Sequence, residues 1–186
     1  MHIFTYLSIL FAVSEISLAI FKRAKVDGSK SDKDKRSMLL LWLAIAGSLT
    51  IGGFVSGYGF GLQMDNIIFG DIGLALIIIG FIIRWIAIIQ LGKEFTVDVA
   101  ISETHTLKTA GLYKIVRHPS YLGLLMIIAG LAFGMENWLS LAVVVVPTFI
   151  AMNYRIVVEE KALADKFGDQ YLDYKKRVSK IIPFLY

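Results

Sequence analysis

The chain has 186 residues, of which 56% are hydrophobic, and its mean hydropathy is +0.68. A chain with this composition is too apolar for a soluble domain, and its length and hydropathy indicate an integral membrane protein with one membrane domain. The net charge of +4 does not indicate nucleic-acid binding, because the basic residues lie beside apolar segments. The absence of cysteine excludes disulfides, thiol chemistry and a zinc–thiolate site, and we expect no metal.

The first apolar run covers residues 3–21, which is long enough to cross a bilayer. Glu15 interrupts this run, and an ionisable residue inside a membrane span is a functional candidate by default. Alternatively, Glu15 is protonated or hydrogen-bonded to Ser14 or Ser17 and helps to pack the helix. We favour the packing role.

A charged segment follows at residues 22–37, with seven Lys/Arg and three Asp. Its mixed charges are typical of a solvated segment rather than of a dedicated lipid-binding patch. We therefore predict a cytoplasmic loop here.

Two long apolar runs at residues 38–62 and 67–90 predict the second and third spans. Three glycines of the second span recur every four residues and so share one helix face, which predicts close approach of another helix, most simply within the chain. They are Gly53, Gly57 and Gly61. In the third span, Arg84 is expected either to extend to the membrane interface or to face a polar cavity.

The second half of the chain begins with a polar connector at residues 91–118. Residues 120–134 and 138–154 are shorter apolar runs that predict a helical hairpin, with a kink at Pro147. Residues 158–178 carry apolar side chains at helical spacing among charged ones, which predicts an amphipathic helix at the membrane surface. Gly168 is expected to break this helix in two.

The Lys/Arg distribution predicts the orientation. Every Lys/Arg except Arg84 falls in residues 22–36, 93–117 or 155–180. Five spans with the N-terminus outside put all three segments in the cytoplasm. We predict an all-α integral membrane protein with five transmembrane helices, the last two a hairpin, and a cytoplasmic C-terminal amphipathic helix. In a bacterium it would be a multi-pass inner-membrane protein.

Several motifs in roughly residues 90–184 resemble, in order and spacing, the signature of the isoprenylcysteine carboxyl methyltransferase family. On this resemblance the chain is identified as a prokaryotic-type member. Residues 1–186 would then form one methyltransferase domain, with variable spans in 1–62 and the cofactor-binding half in 90–184. The matching segments are Leu91-Gly92, His105-Thr106-Leu107, Gly111-Leu112-Tyr113, Arg117-His118-Pro119-Ser120-Tyr121, Gly123, Arg155, Glu159-Glu160, Phe167-Gly168-Asp169-Gln170-Tyr171-Leu172-Asp173-Tyr174-Lys175-Lys176-Arg177-Val178 and Pro183.

The resemblance implies a membrane methyltransferase that uses S-adenosyl-L-methionine and has its active site facing the cytoplasm. It would methylate the carboxylate of a lipophilic small-molecule or prenylated acceptor, and it would contact membrane lipid. It implies that Arg155 serves the acceptor. Lys108 departs from the family, which usually has a small apolar residue there. The implied cofactor-binding residues are His105, Thr106, Leu107, Lys108, Tyr113, His118, Pro119, Ser120, Tyr121 and Glu159.

These residue types suit such chemistry. The cationic sulfonium of the cofactor favours carboxylates and aromatic faces, which Glu159, Tyr113 and Tyr121 can offer. Arg155 can hold a carboxylate through two parallel hydrogen bonds. A surface ion pair between Arg155 and Glu159, four residues apart on one helix face, remains the simpler structural explanation for these two residues.

Three other functions stay open at this point. Phospholipid amine N-methyltransferases share a small membrane fold and a paired-glutamate ending. Membrane sterol and steroid reductases have a related C-terminal half but use NADPH. The third alternative is a non-catalytic membrane protein that retains the scaffold.

Overall fold

The computed structural model describes residues 2–21, 32–92 and 106–183. Within these ranges the chain is α-helical, with a 3₁₀ turn at Gly111–Lys114 and two isolated β-bridges, Gln63 with Asn137 and Val116 with Ser179. The helices are α1 (His2–Phe21), α2 (Asp32–Gly57), α3 (Ile68–Leu91), α4 (Pro119–Phe133), α5 (Trp138–Phe167) and α6 (Asp169–Arg177).

Four of these helices, α1, α2, α3 and α5, are long and apolar enough to cross a membrane, and α4 is a shorter apolar helix of 15 residues. Large aliphatic side chains point outward from these helices, for example Ile89 and Ile150, as expected where the surroundings are lipid. Helices α4 and α5 are joined by a tight turn and pack together. The predicted all-α, multi-pass membrane architecture with a terminal hairpin is confirmed.

Helices α3 and α4 touch through glycines spaced seven residues apart on each helix. A Cβ atom placed on Gly123 would lie 2.6 Å from the carbonyl oxygen of Gly80, and one on Gly130 would lie 2.5 Å from that of Gly73. Side chains cannot be accommodated at these distances, so glycine permits the two backbones to meet. The two helices therefore run antiparallel, with the start of α4 beside the middle of α3 and the end of α4 beside the start of α3.

The glycine stripe predicted for the second span does not make such a contact. Helix α2 ends at Gly57, and Gly61 lies in the following turn with a φ of +83°. A Cβ atom on Gly53 or Gly57 would have nothing within 4 Å. The prediction was wrong within this chain because Gly53 and Gly57 lie on an exposed face of α2 and the helix ends before Gly61. Helix α2 instead packs on α5, where the Ser140 hydroxyl donates to the Gly52 carbonyl at 2.8 Å.

Two predicted boundaries also need correction. Residues 32–37 belong to α2 and are not loop, and the Asp34 carboxylate near the start of the helix suits the positive end of the helix dipole. Helix α5 does not stop at residue 154 but continues to Phe167, because no helix breaker intervenes before Gly168. The predicted break at Gly168 is confirmed, and its φ of +53° is one that glycine adopts without strain. A kink at Pro147 stays a prediction.

Candidate active site

The sequence motif that begins α4 is anchored by the C-terminal segment of the chain. Pro119 is the first residue of α4, where its missing N–H costs nothing. The backbone N–H groups of Arg117 and His118 donate to the carbonyls of Ser179 and Lys180 at 2.8 and 3.1 Å. These two bonds fix the direction in which the first turn of α4 leaves the connector.

Glu159 of α5 faces this first turn of α4. The Tyr121 hydroxyl donates to Glu159 Oε2 at 3.0 Å, and His118 Nδ1 lies 3.9 Å from Glu159 Oε1. The His118 and Tyr121 rings meet edge to face, with centroids 5.8 Å apart. The Glu159 side chain keeps 30% of its surface exposed. A carboxylate has about four acceptor positions, so Glu159 can accept hydrogen bonds from a bound molecule.

The neighbouring Glu160 has a different environment. It is buried and forms ion pairs with Arg117, whose Nε donates to Oε1 at 2.9 Å, and with Lys175, whose Nζ lies 2.8 Å from Oε2. His118 Nε2 lies 3.2 Å from the same Oε1. Consecutive residues of a helix point about 100° apart, which separates the two carboxylates. Glu160 therefore joins α5, α6 and the connector.

Arg155 is 1% exposed, and its Nη1 contacts the start of α2. This nitrogen donates to the Asp34 carboxylate, to the Asp34 carbonyl at 3.1 Å and to the Ser37 hydroxyl at 2.8 Å. Tyr121 and Glu159 are near enough to interact with Arg155 electrostatically. The prediction missed this contact because it assigned residues 22–37 to a loop. The signal available was the acidic residue Asp34 just before the apolar run, because acidic residues favour the first turn of a helix.

Tyr113 lies in the 3₁₀ turn and is bound on both sides by the protein. Its hydroxyl donates to the Ala87 carbonyl at 3.3 Å, and its own carbonyl accepts the Tyr174 hydroxyl at 2.5 Å. Burial raises the pKa of Tyr113 well above its usual value, and burial also raises the pKa of Tyr174 to about 12. Both hydroxyls stay protonated at neutral pH and act as donors.

The turn before Tyr113 is shaped by Gln90 of α3. Gln90 Oε1 accepts the Leu112 N–H at 2.9 Å. Gly111 has a φ of +67°, and a Cβ atom there would lie 2.4 Å from Gln90 Oε1. Gly111 therefore permits both the turn and the close approach of Gln90.

The structure gives the remaining predicted site residues fewer contacts with the cluster around Glu159. Thr106 is exposed and Leu107 and Lys108 are half-buried, while His105 lies outside the described residues. The Ser120 carbonyl and hydroxyl accept from Arg84 Nη1 at 3.1 and 3.0 Å. Among the described residues, no group of three or more His, Asp or Glu is arranged to hold a metal ion.

The model of the isoprenylcysteine carboxyl methyltransferase family matches residues 73–165, which is half of the chain. The chain belongs to this family. The match includes α4, most of α5 and the cluster around Glu159, and it excludes α1, α2 and α6.

Curated members of the isoprenylcysteine carboxyl methyltransferase family are also similar to the chain. Protein-S-isoprenylcysteine O-methyltransferase B of Arabidopsis thaliana is 38% identical over 117 residues, covering 62% of this chain and 59% of that protein. The protein-S-isoprenylcysteine O-methyltransferase of Rattus norvegicus is 36% identical over 115 residues, covering 61% of this chain and 40% of that protein. These relatives are eukaryotic, so the comparisons do not support the prokaryotic-type part of the prediction.

A solved structure of this family has the same fold. The structure of the eukaryotic intramembrane Ras methyltransferase ICMT matches with a TM-score of 0.66 and 32% identity, covering 77% of this chain and 52% of that one. The chain thus spans about half of the solved relative and at most about three fifths of the curated relatives cited.

Proposed function

We propose that this protein is a membrane methyltransferase that transfers a methyl group from S-adenosyl-L-methionine to the carboxylate of a lipophilic, isoprenylcysteine-like acceptor. The observation that carries the proposal is the cluster in which Tyr121 donates to Glu159 beside the buried guanidinium of Arg155. Membership of the isoprenylcysteine carboxyl methyltransferase family supports it.

The residues present fit the proposed cofactor by their chemistry. Glu159 is a partly exposed carboxylate beside two aromatic rings, His118 and Tyr121, which suits a cationic ligand with hydroxyl and amino donors. The Tyr171 hydroxyl is buried, has the charged neighbours Glu160, Arg117 and Glu159, and has no hydrogen-bond partner among the described residues. A bound molecule with a donor or an acceptor can satisfy it.

We assign the cofactor to the residues that the family resemblance implies. Of these, Tyr121, His118 and Glu159 carry the argument, because they lie within one cluster. The full set is His105, Thr106, Leu107, Lys108, Tyr113, His118, Pro119, Ser120, Tyr121 and Glu159.

When bound, the cofactor would supply a methyl group already activated on its sulfonium. The protein needs no covalent nucleophile, and a carboxylate acceptor needs no general base. The task of the side chains is alignment, because placing two reactants correctly supplies much of the rate. A buried site assists, because an anionic acceptor and a cationic donor both lose charge as they react. Arg155 would hold the acceptor carboxylate.

The proposed site faces the cytoplasm. The start of α2 and the start of α4 meet the second half of α5 at Arg155 and Glu159. Most of the Lys/Arg residues lie in the segments at this end, which indicates the cytoplasmic side of a membrane. A lipophilic acceptor would then reach the site from the lipid and the cofactor from the cytoplasm.

Two measurements on the purified protein test this function. Calorimetry is expected to detect binding of S-adenosyl-L-methionine and not of NADPH. With radiolabelled methyl donor, an N-acylated S-prenylcysteine acid is expected to be methylated, whereas phosphatidylethanolamine vesicles are not. Binding of NADPH alone would favour a reductase, and methylation of the amine headgroup alone would favour a phospholipid N-methyltransferase.

A further inference from the structure

The start of α2 reaches Arg155 from a part of the chain that the family match does not include. Asp34 and Ser37 belong to the first turns of α2, and the match covers residues 73–165. All three side chains are buried, with exposed fractions of 1% for Arg155, 2% for Asp34 and 0% for Ser37.

Nη1 of Arg155 is fully used by this contact. A guanidinium NH₂ group has two hydrogens. Nη1 is directed at three acceptors, the carboxylate and carbonyl of Asp34 and the hydroxyl of Ser37. The hydrogens of Nη1 are therefore taken up by the start of α2.

Ser37 makes the arrangement rigid. Its hydroxyl accepts from Arg155 and itself donates to the Asp34 carbonyl at 2.9 Å. The three residues therefore form a closed set of hydrogen bonds. A buried guanidinium also needs a nearby negative charge, because an uncompensated buried charge is strongly destabilising. Asp34 supplies that charge from outside the catalytic half.

We propose that Asp34 and Ser37 are positioning residues for the proposed methyl transfer. They hold one nitrogen of Arg155 and so fix the rotation of its guanidinium. The rest of the guanidinium is thereby kept in a constant orientation on the helix face that also carries Glu159, four residues further along α5, which accepts the Tyr121 hydroxyl. The inference rests on the proposed function, in which Arg155 orients the acceptor carboxylate.

Three variants test the role in turnover. Asp34→Asn keeps the shape of the side chain but removes its charge, Ser37→Ala removes the bridging hydroxyl, and Lys35→Ala is the control because Lys35 is exposed on the same turn. We expect turnover of the prenylcysteine acid to fall about tenfold or more in Asp34→Asn and about threefold in Ser37→Ala. S-adenosyl-L-methionine affinity is expected to stay within about twofold of wild type.

A double-mutant comparison separates positioning from general stability. If Asp34 acts through Arg155, adding Asp34→Asn to Arg155→Lys lowers turnover no further than Arg155→Lys alone. Independent losses in the two variants would overturn the inference. So would a lower KM for the acceptor in Asp34→Asn, because that result means that Asp34 competes with the acceptor.

A stability measurement keeps the inference testable apart from activity. We expect the effects of Asp34→Asn and Arg155→Lys on thermal unfolding to be coupled, and purely additive effects would overturn the contact. If wild-type protein binds no S-adenosyl-L-methionine and methylates no acceptor, the proposed function fails, and the coupling still decides whether Asp34 holds Arg155. If Asp34→Asn does not fold, Ser37→Ala with wild-type turnover would overturn the positioning role.

Discussion

Glu15 and Arg84 form a two-pronged ion pair inside the helix bundle. Arg84 Nε donates to Glu15 Oε1 and Nη2 to Oε2, both at 2.6 Å, and the two side chains are 8% and 6% exposed. Nη1 of Arg84 donates to the carbonyl and hydroxyl of Ser120. The pair therefore connects α1 and α3 to the first turn of α4, where the candidate site begins.

This pair replaces both expectations drawn from the residues alone. A hydrogen bond to Ser14 or Ser17 was one of the expected packing contacts of Glu15, but the Ser17 hydroxyl donates to the Val13 carbonyl at 2.7 Å. Arg84 was expected to extend to the interface or to face a polar cavity, but its donors bind Glu15 and Ser120 instead. The packing role favoured for Glu15 is the one that the structure supports, with Arg84 as its partner.

Glu15→Gln is expected to destabilise the protein by about 3–5 kcal/mol, because it leaves the buried charge of Arg84 uncompensated. Thermal or denaturant unfolding in detergent measures the change. The control Asp165→Asn, at an exposed position of α5, should have little effect. The double variant Glu15→Leu/Arg84→Met should recover most of the loss, and a double variant less stable than Glu15→Gln would contradict this explanation.

Replacing Glu159 or Glu160 of α5 by Gln is expected to affect different properties of the protein. Glu159→Gln should weaken S-adenosyl-L-methionine binding by about 1.5–3 kcal/mol, roughly tenfold or more, with a small effect on stability. Glu160→Gln should instead lower the free energy of unfolding by about 3 kcal/mol, because Arg117 loses its buried counter-charge. Calorimetry and thermal unfolding of both variants check the contrast. Unchanged affinity in folded Glu159→Gln would remove Glu159 from the cofactor site.

Arg155→Lys is expected to keep cofactor affinity near wild type while turnover falls. A lysine ammonium retains the charge but cannot bind Asp34 on one side and present a flat pair of donors on the other. Steady-state kinetics with the prenylcysteine acid provide the measurement, and Arg177→Lys is the control because Arg177 is exposed. Wild-type turnover in Arg155→Lys would exclude the two-pronged contact, and equal losses of affinity and turnover would place Arg155 at the cofactor.

Alanine substitutions at Gly123 and Gly53 should have different effects on stability, because only Gly123 lies in a close helix–helix contact. Gly123→Ala places a methyl group against the backbone of α3 and should destabilise by about 1–3 kcal/mol or more. Gly53→Ala has open space and should be neutral or stabilise by up to about 1 kcal/mol. Thermal unfolding decides, and equal effects would contradict the close approach of α3 and α4.

The orientation can be tested by labelling, since the chain has no cysteine of its own. Single cysteines at Asp65 and Asp165, both exposed, should lie outside and in the cytoplasm respectively. An impermeant thiol reagent applied to intact cells is expected to label only the first. Labelling at position 165 before lysis would reverse the topology.

The amino-acid sequence by itself determined the membrane class, the number of apolar helices, the break at Gly168 and the family. These follow from local properties: the length of an apolar run, the backbone freedom of glycine, and motifs read in order. Only the tertiary structure decided which charges pair. Glu15 meets Arg84 across 69 positions and Asp34 meets Arg155 across 121. Local pattern cannot reveal such pairs, because each buried charge is compensated by whichever helix packs against it.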